Sequence, residues 1–162
     1  MTDSSYLHIY TDGGYVAKDD MGGWGVIITE YVQNCKTIHQ YSGRQRHTSS
    51  LEMELMAAVQ GLEQIIEKWK GQQPAIKGEP FNITLYTDSK ILLEGLEGKI
   101  ERYRQQNWMH KSGRPVASRR LWERLQELTQ TLNVQVKWIK GHSRHEGNLQ
   151  ADALARSAIR QA

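Results

Sequence analysis

Cysteine is almost absent from this chain of 162 residues. Cys35 stands alone, so neither an internal disulfide nor a thiolate metal cage can form. Long apolar runs are missing as well. No stretch approaches the roughly 18 residues that cross a bilayer, and Met1-Thr2-Asp3-Ser4-Ser5 has neither the basic start nor the apolar core of a secretory signal. The expectation is a cytoplasmic protein in which any metal is held by oxygen or imidazole. Repeats, low-complexity tracts and linker-like stretches are lacking too, which predicts one domain over residues 1–162. Nothing points to a dimer, and a monomer is expected. A strong charge imbalance is also absent: 21 Lys and Arg stand against 18 Asp and Glu. The excess is local, however. From Lys99 to Arg124 there are eight basic residues and two acids, Glu101 and Glu123, a difference of eight minus two, or +6.

What is present is a duplicated tripeptide, Tyr10-Thr11-Asp12 and Tyr86-Thr87-Asp88, each copy closing a short β-prone run. If the two runs are parallel neighbours, about 4.8 Å apart, their terminal aspartates crowd like charges in one place. Folding has no use for that crowding. A divalent cation with oxygen ligands turns it into a binding site, at the strand ends where open parallel sheets bind ligands.

The surrounding pattern supplies the frame. Tyr6 to Thr11 alternates around Leu7 and Ile9 and meets Asp12-Gly13-Gly14, which predicts a strand entering a turn. Val26 to Thr29 and Cys35 to Ser42 complete an antiparallel meander. Leu51, Leu55, Ala58, Val59, Leu62, Ile65, Ile66 and Trp69 then recur at helical spacing, behind a Ser49…Glu52 capping box. Gly71 to Pro80 predicts a loop and Phe81 to Thr87 a strand. Two short helices follow, Ser89 to Leu96 and Lys99 to Trp108, broken near Gly98. After them come a helix from Ser118 to Leu132, a strand from Val134 to Ile139, a loop from Lys140 to Gly147 and a helix from Asn148 to Ala162. The order β-β-β-α-β-α-α-α-β-α predicts an α/β fold, a mixed sheet flanked by helices.

The helical wheel separates the two glutamates of the long helix. At about 100° per residue, Glu52 falls roughly 20° from Glu63 and roughly 60° from Glu67 on the polar stripe. It reads as a cap. Glu54 lies on the other boundary beside Ala58, Gly61 and Ile65, where small residues let a helix sit close to a sheet. Asp152 occupies a similar boundary early in the last helix, a place the helix dipole also favours for an acid. His142, in the basic loop Lys140-Gly141-His142-Ser143-Arg144-His145, titrates near neutrality beside a glycine hinge.

Four ordered blocks now stand together: Tyr10-Thr11-Asp12-Gly13, Met53-Glu54-Leu55-Met56-Ala57-Ala58, Thr87-Asp88-Ser89, and Lys140-Gly141-His142 with Asp152 ten residues after the histidine. In order and spacing they resemble type 1 ribonuclease H, over roughly residues 6 to 160. The resemblance implies a five-stranded mixed sheet and hydrolysis of the RNA strand of an RNA-DNA hybrid, leaving 5′-phosphate and 3′-hydroxyl ends. It implies Asp12, Glu54, Asp88 and Asp152 as ligands of two Mg2+ ions, with Mn2+ as a possible substitute, Asp12 as the shared ligand and His142 as a mobile proton carrier. It matches a basic handle at about residues 98–117, where Arg102, Arg104, Trp108, Lys111 and Arg114 would grip the DNA strand. Gly13, Gly14, Ser49, Ser50 and Lys90 are the remaining expected nucleic-acid contacts, through backbone groups, a helix start and the 2′-hydroxyl.

Departures from the family pattern fall on substrate contacts. Ala17-Lys18-Asp19-Asp20 stands where bacterial members usually have an Asn-Pro-Gly loop, Ser50-Leu51-Glu52 replaces a frequent Asn-Asn-Arg, and Lys90 replaces a frequent Gln. Two other readings use the same features: a non-catalytic nucleic-acid-binding domain, and a DNA nuclease of resolvase or integrase type. The intact acid set argues against the first. The Lys-Gly-His loop and the handle argue against the second.

Overall fold

The computed structural model describes residues 5–69, 82–141 and 145–161. Its strands are β1 (Tyr6–Val16), β2 (Met21–Val32), β3 (Cys35–Arg46), β4 (Asn82–Thr87) and β5 (Val134–Trp138). Its helices are α1 (Ser50–Trp69), α2 (Lys90–Glu94), α3 (Ile100–Gln105), α4 (Arg119–Leu132) and α5 (Glu146–Arg160). The loop expected at 71–80, Phe81, His142 and Ala162 lie outside the described residues. The five strands run in the order β3-β2-β1-β4-β5. β1, β2 and β3 pair antiparallel, whereas β4 is parallel to both β1 and β5. This is the expected mixed sheet.

Alternation in β1 sends Leu7 and Ile9 to one face, where both are fully buried. Onto that face α1 lays Leu55, Ala58, Leu62 and Ile65, and α4 adds Trp122, Leu125, Leu128 and Leu132. Each such apolar side chain contributes about 1.5–3 kcal/mol on leaving water. The stripe that made α1 legible in the sequence is therefore also its glue. α5 covers part of the opposite face, against β1 and β2. Among the described residues no helix is long and apolar enough to cross a membrane.

Two expectations are corrected. Asp12-Gly13-Gly14 is not a turn: β1 continues to Val16, and β2 already begins at Met21. These strand glycines answer to packing. A Cβ on Gly13 would lie 2.3 Å from the carbonyl carbon of Met53 in α1, and one on Gly25 2.4 Å from the carbonyl oxygen of Ala151 in α5. The true reversal is a short 3-10 turn, Ala17–Asp19, followed by Asp20 at φ 47°. There Tyr15 donates its hydroxyl to Asp20 at 2.7 Å.

The helix expected to reach Trp108 stops at Gln105. Asn107 and Trp108, at φ 55° and 60°, reverse the chain, and the Trp108 N–H donates to the Tyr103 carbonyl at 2.8 Å. The indole turns inward and is 5% exposed, with the Arg119 guanidinium 5.3 Å from its ring. The break at Gly98 is where the sequence predicts it, at φ 147°.

Candidate active site

β1 and β4 are parallel neighbours with Tyr10 opposite Tyr86, so the two Tyr-Thr-Asp copies run in register. The tyrosine rings stack at 4.8 Å and 8°. Asp12 thus sits on β1 beside Asp88, the first residue past β4. Behind Asp88, the Ser89 N–H donates to Thr87 Oγ1 at 3.0 Å, and Trp138 Nε1 donates to the Asp88 carbonyl at 3.2 Å. Both bonds hold the strand end in place.

α1 delivers Glu54 to the same end of the sheet because Gly13 lets its backbone touch β1. The Ser89 hydroxyl donates to Glu54 and accepts the Leu92 N–H at 3.2 Å, so one buried side chain caps α2 and steers the glutamate. Glu52 is elsewhere. Its N–H donates to Ser49 Oγ at 3.0 Å, and its carboxylate accepts from Thr48 and from Gln45. The capping assignment made from periodicity holds, although Thr48 rather than the Ser49 backbone engages the carboxylate.

α5 presents Asp152 to Asp12, and the two carboxyl groups share a hydrogen bond. One turn on, Arg156 forms an ion pair with Asp152. Burial pushes the Asp12 carboxyl up to about 8, with the Asp152 hydrogen bond and the charges of Asp88 and Asp152 acting in the same direction. The Gly13 N–H opposes them. Burial also raises Glu54, the Ser89 hydroxyl pulls it back down, and Asp88 adds repulsion. The acids are therefore linked in a chain, Asp152 to Asp12, Asp12 to Asp88 and Asp88 to Glu54. Among the described residues no three acidic, histidine or cysteine side chains are yet drawn around one point.

The remaining expected residues fall around this centre. A Cβ on Gly141 would lie 3.4 Å from Asp88 Oδ2, so the chain leaving β5 toward His142 passes against Asp88. His142 itself is outside the described residues. Gly14 is open, with only Ile159 at 4.0 Å from a hypothetical Cβ. Ser49 and Ser50 are exposed at the start of α1, and the Lys90 ammonium lies 5.2 Å from the Trp138 ring. Arg102, Arg104, Lys111 and Arg114 are exposed on the handle. Arg104 pairs with Glu101, whereas Arg102, Lys111 and Arg114 have no carboxylate partner among the described residues. Trp108 belongs to the core and presents no ring to a strand at the surface.

Two participants escaped the sequence reading. Ser89 figures there only as the start of a helix and the end of the Thr87-Asp88-Ser89 block. Arg156, four residues after Asp152, has the spacing of a helical ion pair.

A family model described as RNase H matches residues 4–160. The chain is 35% identical over 159 residues to the Ribonuclease H of Bradyrhizobium diazoefficiens, covering 98% of this chain and 93% of that one. The solved structure of LC9-RNase H1, described as a type 1 RNase H with the type 2 active-site motif, superposes with a TM-score of 0.77 at 21% identity, over 98% of this chain and 74% of that one. That of LC11-RNase H1 in complex with RNA/DNA hybrid does so with a TM-score of 0.64 at 21% identity, over 94% and 96%.

Proposed function

Because the chain belongs to the RNase H family, we propose that it is an endonuclease that hydrolyses the RNA strand of RNA-DNA hybrids with the help of divalent cations, leaving 5′-phosphate and 3′-hydroxyl ends. The observation that carries this reading is the carboxylate centre, where Asp12 is held near 8 by burial, Asp152 and Asp88. Such a group gains most from a nearby cation, and an all-oxygen donor set suits Mg2+ or Mn2+. Asp12, Glu54, Asp88 and Asp152 would hold two ions, with Asp12 the shared ligand. When bound, the ions supply Lewis acidity at the scissile phosphate and lower the pKa of a water.

The protein's own groups do the rest. Deprotonated, Asp12 would offer a cation acceptor oxygens alongside those of Asp152. The Ser89 hydroxyl opposes the rise that burial imposes on Glu54 and aims its carboxylate. His142 would carry a proton away from the reacting centre or help the product leave. The backbone at Gly13 and Gly14 with Lys90 would sense the 2′-hydroxyl, Ser49 and Ser50 would seat a phosphate of the other strand, and Arg102, Arg104, Lys111 and Arg114 would add sequence-independent attraction.

The test is Mg2+-dependent cleavage of matched RNA-DNA hybrid, duplex RNA and duplex DNA by the wild-type chain and by Asp12→Asn. Hybrid should be cut preferentially, and the variant should bind it and leave it whole. Preference for either other duplex, or full activity in the variant, would overturn the reading.

A further inference from the structure

The strand that carries Asp12 midway along its length begins, at Tyr6, beside a cavity. An open cavity of about 440 Å³ lies on the sheet face shared by Tyr6, His8, Asn82, Thr84 and Gln135, with Asn133 at its rim. Register explains the grouping: Tyr6 is opposite Asn82, His8 opposite Thr84, and Thr84 opposite Gln135, so these side chains emerge together. Tyr6 and His8 precede Asp12 by six and four residues, which places them about 13–20 Å from it at roughly 3.3 Å per residue. This is a separate place from the carboxylate centre.

Its chemistry is selective. Among the described residues no acidic, lysine or arginine side chain lines it, so the described lining is that of neither a cation site nor a phosphate site. Three carboxamides, Asn82, Asn133 and Gln135, are exposed there and offer donors and acceptors to a ligand. Two aromatic rings form one wall, Tyr6 stacked on Tyr31 at 4.5 Å and His8 at 5.1 Å from Tyr6. A flat ligand whose rim alternates donors and acceptors satisfies both surfaces, the rings through its face and the carboxamides through its edge. The volume falls within the roughly 300–1,000 Å³ of small-ligand pockets.

We propose that this cavity is a second nucleic-acid site that takes one unpaired nucleobase, adenine foremost, whose adjoining donor and acceptor suit a carboxamide. It goes beyond strand cleavage and stands whether or not the carboxylates hydrolyse anything. A continuous row of rings joins it to the centre: His8 lies 5.1 Å from Tyr86, Tyr86 stacks on Tyr10, and Tyr10 is two residues from Asp12. Burial, with Lys137 and His145 nearby, holds His8 below its usual pKa, so near neutral pH its imidazole both donates and accepts.

The experiment titrates the full chain with adenosine 5′-monophosphate and, separately, with ribose 5-phosphate. It follows the His8 ring and the side-chain amides of Asn82, Asn133 and Gln135 by NMR. The nucleotide should shift these signals and the sugar phosphate should not. Asn82→Ala with Gln135→Ala, both at exposed positions, should weaken nucleotide binding at least about tenfold and leave the melting temperature unchanged. Equal shifts from the sugar phosphate, shifts confined to the carboxylates or handle, or undiminished affinity in the double variant would each overturn the proposal.

Discussion

Asp12 on β1 and Asp152 on α5 are hydrogen-bonded carboxyl to carboxyl. Such a bond needs a proton, because two ionised carboxylates have only acceptors. Between the unfolded value of 3.8 and about 8, the folded chain without a cation therefore favours a proton on Asp12 that the unfolded chain releases.

The sign of the pH dependence follows. Asp12 rises from 3.8 to about 8 on folding, so between those values the native state binds more protons than the unfolded state and stability falls as pH increases. Melting temperatures measured in chelator from about pH 5 to about pH 9 should decline. Asp12→Asn should flatten the decline, and saturating Mg2+ should flatten it in the wild type. A wild-type profile that rises across this range would contradict the arrangement.

Ser89→Ala should lower stability by about 1 kcal/mol through loss of the α2 cap. It should also raise the Glu54 pKa, because the serine hydroxyl is what opposes burial there. The acid limb of the hydrolysis profile should then move to higher pH, an effect that a purely structural cap would not produce.

Gly25→Ala drives a methyl group into the Ala151 carbonyl at 2.4 Å, whereas Gly14→Ala meets nothing nearer than 4.0 Å. The first should cost at least about 3 kcal/mol. Denaturant melts of the pair give the comparison, with Gly14→Ala within about 0.5 kcal/mol of wild type on this surface-like site.

On the handle, charge and core separate cleanly. Neutralising Arg102, Lys111 and Arg114 should reduce the salt slope of hybrid binding by about one for each phosphate that is no longer neutralised, and leave stability intact. Trp108→Ala should do the reverse, costing about 3–5 kcal/mol of stability. Binding isotherms at several salt concentrations, paired with melts, decide it.

Residues whose role is set by local period were legible in the sequence. The α1 stripe singled out Glu54 over Glu52, and the doubled Tyr-Thr-Asp offered two aspartates at strand ends that meet once β1 and β4 prove to be parallel neighbours. Residues whose role is set by what arrives from elsewhere were not. Gly13 and Gly25 carry the same letter as a turn glycine, and only the helices resting on them show that bare backbone is required. Trp108 among basic residues reads as part of a grip on the DNA strand, whereas the reversal at Asn107 turns its ring inward. Ser89 looks like a helix start alone because its second partner lies on a helix more than thirty residues earlier.

At the level of Asp12 the molecule is three peptide backbones thick: α1 resting on Gly13, the sheet, and α5 resting on Gly25. No rotamer lies between these layers, so their spacing is already the smallest that atoms allow. Variation here is therefore one-directional. Substitution can only widen the gap between the helices that bear Glu54 and Asp152, so any drift at these positions loosens the acid centre and none can tighten it.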